Sequence, residues 1–241
     1  MDSTDLVNAS IVSYISFTFL FFVLKFKFFP NSGHFWIIGF LAITCIIQLS
    51  QNIRLTSLPE LCGTTDVKMA VFATIIPWVT IFSVFTLLLM VAPGWLRVFS
   101  NTFGVAAAEA YGLKAILNEL FRKPINTGTD LKIIQMIDNI YTDKMALVVE
   151  LDIDDVTYDA QNKILFPAMN KLVEMNIIEK IPDDKNELLK NMYDALLVKE
   201  HVGFFFWFLL IGIFCILVST LSLVSSSCTP KVGSAYDSIF S

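Results

Sequence analysis

GFFFWFLLIGIFCILVSTLSLV, residues 203–224, runs for 22 residues without a charge and decides the fold class. A hydrocarbon core about 30 Å thick is crossed by roughly 20 apolar helical residues. This run is therefore long enough to span a bilayer, and its opening Gly-Phe-Phe-Phe-Trp suits the aromatic belt at the headgroup boundary. Three more gaps between charged residues meet the same length. Residues 6–24, between Asp5 and Lys25, are rich in Phe, with hydroxyls at Ser13, Ser16 and Thr18. Residues 34–52 follow a break at Pro30, Asn31, Ser32 and Gly33; their strongly apolar part is only 35–49, so a full span and a re-entrant segment are both open. Residues 69–91 contain Pro77, which removes one backbone hydrogen bond and predicts a kink. Pro93-Gly94 then ends the helix.

Composition agrees with a membrane assignment. The 241-residue chain is 55% hydrophobic and 16% charged, with a mean hydropathy of +0.67. Soluble chains are typically about 45–50% apolar and about 25% charged. The formal net charge is −5. Most ionisable groups fall in residues 92–202, where acidic side chains outnumber basic ones. That sign argues against a nucleic-acid partner, because neutralising phosphates requires the opposite one. The N-terminus, MDSTDLVNAS, carries acidic residues where the basic region of a signal peptide belongs, so the first apolar segment is expected to be kept as an anchor. Its Asn8-Ala9-Ser10 is a glycosylation sequon that lies too close to the first helix to be used.

The reading is an all-α membrane protein with four transmembrane helices and a mostly helical soluble domain between the third and fourth. Residues 1–53 form a transmembrane hairpin, 54–68 a polar loop, 69–91 the third span, 92–202 the soluble domain, 203–224 the fourth span and 225–241 a polar tail. If the spans alternate, Lys25, Lys27 and the central domain share one side and Arg54, Lys68 and Lys231 the other, which places the domain in the cytoplasm.

Within that domain, residues 105–123 carry Ala106, Ala110, Leu113, Leu117, Leu120 and Phe121 on one face and Glu109, Lys114, Asn118 and Arg122 on the other, an amphipathic helix ending at Pro124. A second helix follows Thr129 or Asp130 as its cap, with Ile133, Ile134, Ile137, Ile140 and Tyr141 on its buried side. Residues 145–155 read either as an exposed strand or as a turn or two of helix. Residues 187–201 form a last amphipathic helix, with Leu188, Leu189, Met192, Leu196 and Leu197 apolar, that can run directly into the fourth span. Between Val156 and Ile181 the pattern resembles a winged-helix recognition helix running into its first wing strand, with Asn176 in the left-handed position. The acidic balance there implies protein binding, not DNA binding.

No catalytic, metal or cofactor chemistry is legible. The four span cores hold no Asp, Glu, Lys or Arg, the two histidines His34 and His201 are far apart, and phosphate-binding and nucleophile motifs are missing. The acidic group Glu150, Asp152, Asp154, Asp155 and Asp159 fails as a calcium loop: counting from Asp152, Thr157 stands where Gly is needed and Lys163 where Glu is needed. Cys45 and Cys215 read as small apolar packing residues. Cys62 and Cys228 fall on the non-cytoplasmic side, where an oxidising lumen would let them pair or leave two thiols. Ser13, Thr18, Thr44, Gln48, Thr74 and Thr80 could line a pore or bond helix to helix.

Residues 92–104, APGWLRVFSNTFG, form a turn and an aromatic segment. Pro93 and Gly94 make an elbow at the membrane boundary, and Trp95 and Arg97 suit the interface, one as an amphipathic ring and one as a snorkelling cation. This motif, with spans flanking a small helical domain, resembles membrane proteins of virions in the large nucleocytoplasmic DNA viruses, including the chlorovirus-like group. The resemblance implies a minor capsid component of the internal viral membrane, its domain facing the shell. Its implied partners are the lipid bilayer, other capsid or membrane proteins and further copies of the chain. The rival reading is a small channel or transporter.

Overall fold

The computed structural model describes residues 3–29, 35–59, 63–120, 135, 157–158, 164–165, 167–174 and 186–225. The described residues are helical apart from turns and one two-residue ladder. The helices are α1 (Ser3–Phe28), α2 (Phe35–Thr56), α3 (Val67–Pro77), α4 (Ser83–Val91), α5 (Gly94–Phe99), α6 (Val105–Ala110), α7 (Leu113–Leu120), α8 (Pro167–Glu174) and α9 (Asn186–Ser225). In the ladder, β1 (Thr157–Tyr158) pairs antiparallel with β2 (Ile164–Leu165). The sequence expectations on Cys62, on residues 121–134, 136–155 and 175–185 and on Cys228 lie outside the described residues.

Among the described residues, four helices are long and apolar enough to cross a membrane. The second is a full 22-residue helix, about 33 Å at 1.5 Å per residue, so its length meets a spanning requirement that the apolar core 35–49 alone did not. The third starts at Val67, where Asp66 accepts the backbone N–H of Met69 at 3.0 Å as an N-cap. Pro77 does not stop it. The chain stays in right-handed helical geometry, and a π-helical turn, Trp78–Phe82, follows before α4 resumes. A widened turn is a common way for a helix to absorb a missing N–H and a ring. The helix ends at Val91, and Ala92 adopts a non-helical conformation before Gly94 opens α5.

The chain divides into two units, Met1–Pro93 with Trp207–Ser241, and Gly94–Phe206. The first is a bundle whose packing runs in tiers. Leu6, Leu55, Ala73 and Leu223 close one end. A polar tier comes next, then Tyr14, Trp78 and Cys215, then an aromatic tier of Phe22, Trp36, Phe40, Phe82 and Phe208. Beyond it the Lys25 ammonium sits 4.9 Å from the Trp36 ring centre, a cation–π contact that lets the cation remain on a buried side chain. The outer face is the reverse of a soluble bundle. Phe19, Ile38, Ile46, Phe72, Val84, Leu87, Phe214 and Leu221 are all exposed, as lipid contact requires.

The second unit corrects the helix expected over 105–123. Gly112, at φ +111°, breaks it, because only a residue without a Cβ takes that conformation at no cost. The Gly112 carbonyl then accepts the N–H groups of Ala115 and Ile116 and starts α7. The break shifts the rotational phase: Ala108 is buried in place of Ala106 and Ala110, while Leu113, Leu117 and Leu120 are buried as the pattern predicts. The last amphipathic helix does run into the fourth span, as one 40-residue α9. Met192, Ala195, Leu196 and Leu197 are buried on it.

Candidate functional site

Polar atoms in an apolar bundle concentrate at one level. Ser10 of α1 donates through Oγ to Gln48 Oε1 at 2.8 Å, and Gln48 Nε2 donates to Asn52 Oδ1 at 3.0 Å, both acceptors lying on α2. Asn52 Nδ2 donates in two directions, to Thr74 Oγ1 on α3 and to Ser219 Oγ on α9, each at 2.7 Å. Thr74 Oγ1 in turn donates to the Ala70 carbonyl at 2.7 Å. All five side chains are 4% exposed or less. One amide thus ties three of the four spans directly, and the fourth through Gln48.

The helix geometry explains why these residues meet. Gln48 and Asn52 are four apart, so they stand on one face of α2. The carboxamide is the right group for the centre: it offers two donors and one acceptor oxygen from a single planar end. Removed from water, each of these groups would cost free energy without a partner, and here every one of the five has at least one.

One turn along, Tyr14 donates its hydroxyl to the Phe208 carbonyl at 2.5 Å. Its phenol end occupies the space a side chain at Gly212 would fill, so a Cβ built there would collide with both Cζ and Oη. Cys215 donates its thiol to the Pro77 carbonyl at 3.7 Å, beside the π turn. That fits the expected packing role for Cys215, with a hydrogen bond added.

The pore candidates divide. Gln48 and Thr74 join the polar tier. Thr44 turns back on the Phe40 carbonyl at 2.8 Å, and Thr80 on that of Ile76 at 2.7 Å. Thr18 is buried and Ser13 half-buried, and neither belongs to the polar tier. Sequence reasoning missed Ser10, Asn52 and Ser219. The signal for Asn52 was its four-residue spacing from Gln48. Ser10 lies inside the sequon and spends its hydroxyl on Gln48.

The elbow residues occupy the stretch where the two units join in sequence. Pro93 is exposed in a turn, Gly94 opens α5, and Trp95 and Arg97 are exposed on it. Among the described residues no three His, Cys, Asp or Glu side chains converge. The polar tier holds only amides and hydroxyls, groups that neither gain nor lose a proton near neutral pH. Its chemistry is hydrogen bonding between helices. No family model, characterised protein or solved structure matches the chain.

Proposed function

We propose that this is a structural membrane protein, whose bundle anchors a helical domain at a bilayer and whose domain makes protein contacts. The observation that carries the reading is the Asn52 hub. A conduction path needs polar groups facing an open lumen, whereas the side chains of the polar tier are spent on one another. In membranes, such interhelical bonds fix which helices meet and at what register.

In its finer form, following the resemblance of residues 92–104, the chain is a minor capsid component in an internal viral membrane. Its domain faces the shell on the cytoplasmic side, with a winged-helix-like, protein-binding fold between Val156 and Ile181. Further copies of the chain and other capsid or membrane proteins are its partners.

Two experiments test the two levels. Full-length protein reconstituted in liposomes is expected to give no saturable flux of ions or small solutes, and such flux would replace the scaffold by a channel. Cross-linking mass spectrometry of purified particles is expected to join Lys114 or Lys190, both exposed, to a shell protein. Particles that lack the chain would end the capsid reading and leave the anchor reading standing.

A further inference from the structure

We propose that residues 94–108, grouped above with the soluble domain, are themselves embedded in the bilayer interface and upper acyl region. The stretch GWLRVFSNTFGVAAA carries a single ionisable side chain, Arg97, in 15 residues. It is helical throughout, α5 passing through the π turn Ser100–Gly104 into α6.

Its two sides differ sharply. The inner side is made of small residues packed on α9. A Cβ added to Gly203 would lie 2.8 Å from that of Ser100, and one added to Gly104 would fall on the Lys199 backbone. Ser100 and Ala108 are buried with them. The outer side exposes three large apolar side chains, Trp95 at 53%, Val98 at 59% and Phe103 at 49%, beside Arg97 and Thr102, whose hydroxyl donates back to the Val98 carbonyl at 2.7 Å.

What covers that side follows from Phe206. The Phe103 and Phe206 rings stack with centres 4.1 Å apart and planes at 22°. Phe206 sits in the uncharged run 203–224 of α9, the clearest spanning segment in the chain. A ring that stacks on a spanning residue shares its depth to within a few ångströms. The other end is tethered more loosely, because Trp95 lies four residues past Val91, the end of the third span, at most about 14 Å even fully extended, so the Phe103–Phe206 stack sets the depth. The interfacial zone is only about 5–8 Å thick on each side of the hydrocarbon. An exposed Trp, Val and Phe held at that depth meet lipid, with Trp95 and Arg97 at the headgroups. The inference stands whether or not the scaffold reading does.

The test uses the whole chain in phosphatidylcholine vesicles, with the photoreactive benzoylphenylalanine placed in turn at Val98, Phe103 and Lys114. After irradiation, mass spectrometry is expected to find lipid adducts at positions 98 and 103 and none at 114, which is exposed on α7. Replacing Phe103 disturbs its stacking on Phe206, so Val98, whose side chain is mostly exposed, carries the decision. A probe at 98 that is quenched by water overturns the proposal. So does one that joins a second copy of the chain with no lipid adduct, since the face would then be a protein interface.

Discussion

Along α2, Asn52 and Phe40 lie about 18 Å apart at 1.5 Å per residue, and both are almost wholly buried, yet their surroundings share no chemistry. Around Phe40 the contacts are rings: Phe17 at 5.9 Å, Phe21 at 5.1 Å, Phe208 at 5.7 Å and Phe82 at 6.2 Å between centres. Around Asn52 they are three hydrogen bonds reaching Gln48, Thr74 and Ser219. Rings attract at many angles, and those around Phe40 are stacked, tilted and edge-on together. An amide accepts and donates in fixed directions. The aromatic tier therefore contributes most of the contact area, and the polar tier contributes the register.

Removing the central ring is the severest way to break that contrast. Phe40→Ala is expected to cost about 3–5 kcal/mol, the range for deleting a large buried ring, while the surviving hydrogen bonds keep the same four helices together. Reversible unfolding in mixed detergent measures the loss, and pairwise distances between labelled helix ends test the register. A variant that keeps full stability would mean the rings are replaceable filling.

Asn52→Leu reverses the pattern. Interhelical hydrogen bonds in membranes average about 0.6 kcal/mol each with a ceiling near 1.7, so the two that Asn52 makes to Thr74 and Ser219 predict a loss of about 1–3 kcal/mol. This is smaller than for Phe40. The helix-end distances of the third and fourth spans, however, should broaden into more than one population, because the interhelical bond left at that level, Ser10 to Gln48, joins only α1 and α2. A single sharp distance distribution in the leucine variant would refute the division of labour between the tiers.

These two positions also mark what the sequence reveals and what it does not. Gaps between charges located all four spans, because transfer into lipid is a property of each segment by itself. Whether Asn52 would meet Ser219 depends on the rotational phase of helices 167 residues apart in sequence, which no local pattern encodes. Gly112 hid for a related reason: the apolar spacing of residues 105–123 suits an unbroken helix, and only the backbone shows the positive φ that interrupts it. The continuity of α9 through Gly203 was legible as an option, but the contact that makes a glycine necessary there, Ser100, comes from a different helix. The elbow at Pro93 and Gly94 was visible because its punctuation is local.

The finest discrimination comes from one substitution made twice. Thr74 and Thr86 both face the bundle interior from the third span and both have buried hydroxyls. Thr74 Oγ1 accepts from Asn52, whereas Thr86 Oγ1 has no hydrogen-bond partner. Valine has nearly the shape of threonine, so the exchange at each site changes little but the hydroxyl. At position 74 it strands a donor of Asn52, and the expected loss is about 1–2 kcal/mol, the cost of leaving a buried polar group unmatched. At position 86 it removes a group that was already unmatched, so stability should stay level or rise by up to about 1 kcal/mol. Unfolding of Thr74→Val and Thr86→Val under the same detergent conditions gives the sign of each change. Equal losses at both positions would show that the hydroxyl at 86 has a partner of its own, a water or a lipid oxygen, and that the aromatic side of the bundle is less dry than its rings suggest.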